Sequence, residues 1–203
     1  MYDDEFELTF DLSDADEASR APAPEQEPVQ EAAPEPAAEA ETEPPVEPVP
    51  EPAVPAANGR CVLISGGDRG IGAAAARAFW QAGYRVAVLY HTHAEAAAAL
   101  EKALPGLLAV QCDVASRASC EVAFHTVEQA VGHVDVLVSN AGIAQQKLFT
   151  DITPEEWQHM LDVNLSGAFH LCQLALPGMI RRKAGRILTV SSMWGQTGGS
   201  CEV

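Results

Sequence analysis

Long apolar runs are missing from this 203-residue chain. None approaches the ~18 residues that a membrane-spanning helix needs, so a helical membrane protein is excluded. Positive charge is also scarce, with 12 Lys/Arg against 29 Asp/Glu and a net charge of −17. A nucleic-acid partner would need a basic surface, so that class is set aside. The five cysteines (Cys61, Cys112, Cys120, Cys172, Cys201) contain no CxxC pair. That argues against a disulfide framework or a zinc site and for free thiols in a reducing cytoplasm. The opening "MYDDEFELTF" carries acids where a secretion signal needs positive charge.

The charge is unevenly placed. Residues 1–58 hold 17 Asp/Glu, one Arg and 11 of the 14 prolines, and residues 59–203 are nearly neutral. Low hydrophobicity, high charge and frequent proline cannot bury enough apolar surface to offset chain entropy. Residues 1–58 therefore read as a disordered acidic tail, and residues 59–203 as one domain. Residues 1–12 interleave acids with Tyr2, Phe6, Leu8, Phe10 and Leu12. Such a segment is either a docking motif for a protein partner with a basic groove or a solvating tail.

From Arg60 onward, strand-like and helix-like segments alternate. Short apolar runs predict strands at 61–65, 85–90, 107–114, 134–140 and 185–192. Helices are predicted over 71–83, 94–104 and 117–131. A fourth starts at the "TPEEW" capping box (Thr153, Pro154, Glu156) and runs unbroken through "WQHMLDVNLSGAFHLCQLAL". Five strands alternating with four helices predict an α/β fold, a Rossmann-type doubly wound parallel sheet in the order 3-2-1-4-5.

The first strand leads into Ser65-Gly66-Gly67-Asp68-Arg69-Gly70-Ile71-Gly72. Glycines at 66, 70 and 72 between a strand and a helix suit a turn whose N–H groups approach a pyrophosphate at a helix N-terminus. Cofactor choice in such sheets is read near the end of the second strand, where an acid holds the ribose of NAD. Here stand Tyr90-His91-Thr92-His93, with no acid. Arg69 is then either a donor to the 2′-phosphate of NADP(H), the favoured reading, or a surface arginine. His91 and His93, without a carboxylate or cysteine partner, read as surface residues, and no metal is expected.

"SGGDRGIG", "CDV" (112–114), "NAG" (140–142), "DVNLSGAF" (162–169) and "VSS" (190–192) occur in the order found in the short-chain dehydrogenase/reductase family. The sequence from 60 to 203 resembles that family, most nearly its 3-oxoacyl-[acyl-carrier-protein] reductases. The ending "SSMWG…SCEV" is similar to its 5-aminopentanone reductases, which would put Trp194 and Glu202 near the substrate; Trp194 reads equally as a packing residue and Glu202 as an exposed loop acid. The resemblance implies NADP(H)-dependent reduction of a ketone, either a small molecule or one attached to a carrier or protein. The alternative is a non-catalytic NADP(H)-binding protein of the same fold, or a module that binds a partner through the acidic tail. Gly66, Asp68, Arg69, Gly70, Ile71 and Gly72 would hold the phosphates. Asp113 and Val114 would meet the adenine, and Asn140, Ala141 and Gly142 would shape the cleft. Asn164 would order a proton-relay water, and Ser192 would hold the substrate carbonyl. Asn140 also reads as a strand-end cap and Asn164 as an ordinary helix residue. The complete family domain implies a homo-oligomer and a catalytic Tyr followed four residues later by Lys. Tyr2, Tyr84 and Tyr90 do not fit that pattern. The 203 residues are therefore expected to lack the family's last strands and helices and to be inactive alone.

Overall fold

The computed structural model describes residues 56–193 and 195. The expectations for residues 1–55 of the acidic tail, Trp194, Cys201 and Glu202 lie outside the described residues. Asn58, placed in the tail by the sequence, instead joins the domain, its N–H donating to Gly83 O and its Nδ2 to Ala82 O, both at 2.9 Å. Five strands form one sheet: β1 Cys61–Ser65, β2 Arg85–Tyr90, β3 Leu108–Gln111, β4 Val136–Ser139 and β5 Arg186–Thr189. Every pairing is parallel, in the order β3-β2-β1-β4-β5 expected from the sequence. The helices are α1 Gly70–Gln81, α2 Ala94–Ala103, α3 Arg117–Val131, α4 Pro154–Leu161 and α5 Gly167–Arg182.

Successive strand residues point to opposite faces, and both faces are covered. Leu63, Leu89 and Leu137 pack on one side with Phe124 and Val127 of α3 and Leu171 and Met179 of α5. Val62, Ile64, Val88 and Val138 pack on the other with Ala76 and Trp80 of α1 and Leu100 of α2. Burial on two faces explains why β1, β2 and β4 read as continuous apolar runs without alternation. Fully burying such a side chain stabilises the fold by about 1.5–3 kcal/mol.

Three strands are shorter than expected. The third strand stops at Gln111 instead of 114, because Asp113 and Ser116 turn the chain into α3. Asp113 Oδ1 accepts from Ala115 N–H (3.0 Å) and Ser116 Oγ from Ser119 N–H (3.3 Å). The fourth strand is Val136–Ser139 where 134–140 was expected, because Asn140 turns its amide to the end of β1. The fifth stops at Thr189, three residues short of Ser192. Its residues are exposed, Leu188 by 48%, so it forms a partly apolar sheet edge among the described residues.

The expected unbroken fourth helix is also interrupted. Thr153 and Glu156 form the anticipated capping box, and Lys147 Nζ reaches Glu156 at 2.8 Å. After α4 the backbone widens into a π-helical turn, Asp162–Ser166, before α5 begins. The helix then passes through Pro177 and ends at Arg182, beyond the expected stop at 176. A proline inside a helix costs about 3 kcal/mol. Burial of Leu171, Ala175 and Met179 along α5 offsets that cost.

Candidate active-site cleft

The carboxyl ends of the parallel strands converge on a cavity of about 580 Å³. Its wall brings together residues far apart in sequence: Gly66, Asp68, Arg69, Gly70 and Ile71 after β1, Asp113 and Val114 after β3, and Asn140, Ala141 and Gly142 after β4. Ten of the expected site residues therefore share one cleft. The remaining three, Gly72, Asn164 and Ser192, are not in its wall.

Gly72 acts from beneath. A Cβ there would lie 2.1 Å from the Gly66 carbonyl oxygen and 2.7 Å from Asn140 Nδ2, so only glycine lets the turn close. Gly66 and Gly70 take φ of +60° and +53°, a region that strains other residues. No side chain caps the start of α1, and its first residues, Gly70 and Ile71, line the cleft.

The two central strand ends are stapled together. Ser65, fully buried, accepts from the N–H groups of Asn140 and Ala141, each at 3.0 Å. Asn140 Nδ2 donates to the carbonyls of Ser65 and Gly66, both at 3.0 Å. The strand-end-cap reading of Asn140 therefore describes its local work, and that work fixes the position of the phosphate-type turn. Serine at 65 is a feature that sequence reasoning passed over. Its signal was a lone hydroxyl at the end of an otherwise apolar run.

Asn164 lies in the π-helical turn. Its Oδ1 accepts from Ile143 N–H at 2.8 Å, and its Nδ2 donates to Ile143 O at 3.0 Å. Ile143 is part of the cleft wall, so Asn164 pins the segment that follows β4. π-Helical turns are frequent at functional sites. Ser192 is exposed beyond the end of β5, and its carbonyl accepts from Gly195 N–H at 3.2 Å.

One expectation needs correction. His91 and His93 are exposed, as anticipated, but they also line the cleft with Tyr90 and Thr92. His93 does have a carboxylate partner: its Nδ1 lies 3.5 Å from Asp68 Oδ2. A carboxylate thus stands beside the end of β2, carried by the turn after β1. His159 of α4, Val163 and Cys112 complete features of the wall that sequence patterns did not single out. The Cys112 sulfur lies 3.9 Å from that of Cys120, whose thiol is pushed up by that hydrogen bond and by burial.

The local features suit a dinucleotide: an uncapped helix N-terminus, a turn that leaves no room for a Cβ at Gly72, and a buried carboxylate oxygen on Asp68 without a hydrogen bond.

Comparison with known proteins agrees with the architecture. A family model described as short chain dehydrogenase matches residues 60–203. An acetoacetyl-CoA reductase from Shinella zoogloeoides is 40% identical over 139 residues, 68% of this chain and 57% of that protein. The 3-oxoacyl-[acyl-carrier-protein] reductase MabA of Mycobacterium avium is 40% identical over 144 residues, 70% of this chain and 53% of that protein. A crystal structure of gox2181 superposes with a TM-score of 0.63 at 32% identity, covering 68% of this chain and 55% of that one. The chain thus spans between 53% and 57% of the length of these relatives.

Proposed function

This chain belongs to the short-chain dehydrogenase family, and on that premise we propose that its cleft binds NADP(H) for reduction of a ketone to an alcohol. The observation that carries this reading is the convergence of the glycine turn, Asp113 and the Asn140–Gly142 segment on one cavity at the carboxyl ends of the strands. Parallel sheets of this order bind dinucleotides at that place.

Each group then has a role. The N–H groups of the Gly66–Gly72 turn and of the start of α1 hold phosphate oxygens. Asp113 accepts from the adenine, against Val114. Asn140 and Ser65 keep the turn at its distance from β4. Gly142 has no side chain to intrude on the cleft, and Asn164 holds the neighbouring Ile143 in place and orders a proton-relay water. Ser192 donates its hydroxyl to the substrate carbonyl. The bound nicotinamide supplies the hydride. Arg69, exposed in the cleft wall, favours NADP(H) by offering a charge-assisted donor to a 2′-phosphate.

The substrate class favoured is a 3-oxoacyl thioester, supported by likeness to an acetoacetyl-CoA reductase and a 3-oxoacyl-[acyl-carrier-protein] reductase. The setting is cytoplasmic and the complete enzyme a homo-oligomer. Within the 203 residues no tyrosine after Ser192 is available as proton donor. The 203-residue chain therefore binds nucleotide and ketone without turnover.

Absorbance of NADPH at 340 nm in the presence of acetoacetyl-CoA tests this reading. Residues 1–203 should give no consumption, and the same chain continued by a helix bearing Tyr-xxx-Lys should give it. Turnover by residues 1–203 overturns the inactivity, and no turnover by the extended chain overturns the reductase reading.

A further inference from the structure

The geometry points to Asp68 and His93 as a pair that sets the choice between a 2′-phosphorylated nucleotide and one with a free ribose hydroxyl. This rests on the nucleotide reading above, and it concerns residues whose joint action sequence patterns did not suggest.

The Asp68 side chain is only 6% exposed, yet its Oδ2 has no hydrogen-bond partner among the described residues. A buried carboxylate oxygen without a hydrogen bond is costly, so this oxygen favours any donor the cleft receives. A ribose hydroxyl is such a donor. A 2′-phosphate is not: it brings negative charge and acceptors only, and a carboxylate beside it repels it. Left alone, Asp68 would therefore turn the site toward the unphosphorylated nucleotide.

His93 opposes that bias. It follows β2, its side chain is 48% exposed, and Nδ1 stands 3.5 Å from Asp68 Oδ2 and 3.2 Å from Thr92 Oγ1. With Nδ1 as its N–H, the ring turns the positive end of that bond dipole toward the carboxylate and offsets part of its repulsion. The other ionisable groups in the same wall are Arg69 on the turn, Tyr90 at the end of β2, His91 after it, Cys112 and Asp113 after β3 and His159 on α4. Arg69 alone is a permanent cation among them, so the net potential for a 2′-phosphate depends on how far His93 masks Asp68. Two adjacent residues of one turn, Asp68 and Arg69, thus act in opposite senses, and His93 decides the balance.

Adenosine 2′,5′-bisphosphate and adenosine 5′-monophosphate probe this end of the cleft alone. Their dissociation constants are measured by calorimetry on the 203-residue chain and on Asp68→Asn, His93→Ala and the double variant, with urea midpoints as a check on folding. Asp68→Asn should shift the preference toward the bisphosphate by roughly tenfold, as expected when a like charge is removed from a partly buried site. His93→Ala should shift it severalfold the other way. In the Asp68→Asn background, His93→Ala should lose most of its effect, because the two act through each other. If Asp68→Asn does not fold, the exposed His93→Ala still has to shift the preference. Binding of both probes with an unchanged preference in the variants, or strictly additive effects, overturns the pair. Failure of the parent chain to bind either probe overturns the nucleotide reading and the pair with it.

Discussion

Asn164 holds both backbone polar groups of Ile143, accepting from its N–H at 2.8 Å and donating to its carbonyl at 3.0 Å. A residue in the π-helical turn between α4 and α5 is thereby tied to the segment that leaves β4. This two-point grip has a measurable consequence. Asn164→Ala should cost about 1–2 kcal/mol of stability, the range for two partly exposed hydrogen bonds. Urea unfolding checks it. Asn164→Asp should fall between the two, since Oδ1 can still accept but the donor to Ile143 O is gone. A variant as stable as the parent would remove the positioning role of Asn164.

Two glycines of the same turn should respond differently to alanine. At Gly72 the new Cβ would meet the Gly66 carbonyl oxygen at 2.1 Å, so the turn must open. Gly72→Ala is expected to cost about 1–3 kcal/mol as overpacking and to abolish nucleotide binding. Gly70 has open space around its Cβ position but a φ of +53°. Gly70→Ala should cost about 1–2 kcal/mol from the left-handed backbone alone, with binding reduced rather than lost. Unfolding curves and nucleotide titrations of the two variants side by side separate these effects.

Cys61, at the start of β1, has its thiol pushed up to about 12, chiefly by burial, with Arg85 pulling the other way. The unfolded thiol titrates near 8.5. In the alkaline window the folded state keeps a proton that the unfolded state releases, so stability falls as pH rises. Its contribution is fully present below about pH 8.5 and is lost progressively toward about 12. Urea midpoints recorded from pH 7 to 11 should decline. Cys61→Ala should be less stable at neutral pH but flatter in the alkaline limb. Parallel slopes for parent and variant would contradict the assignment to Cys61.

The strands were legible because burial on both faces leaves an unbroken apolar run, as in "CVLIS" and "RVAVLY". Strand ends were not, since they are fixed by particular hydrogen bonds. The third strand stops where Asp113 caps the turn, and that bond depends on a chain direction the apolar pattern does not encode. The helix through Pro177 was missed for a similar reason: local propensity argues for a stop, and packing of Met179 against the sheet overrides it. In the cleft, glycines and Asn140 stood out because their chemistry is tied to sequence spacing. The Asp68–His93 pair did not, because its members belong to different strand ends that only the folded sheet brings within 3.5 Å.

Calorimetric titration of the 203-residue chain with NADPH and with NADH tests the central claim most directly. The expected result is saturable one-to-one binding of both, with NADPH tighter. Absence of binding by either dinucleotide, with the domain shown to be folded by its circular dichroism, would contradict it.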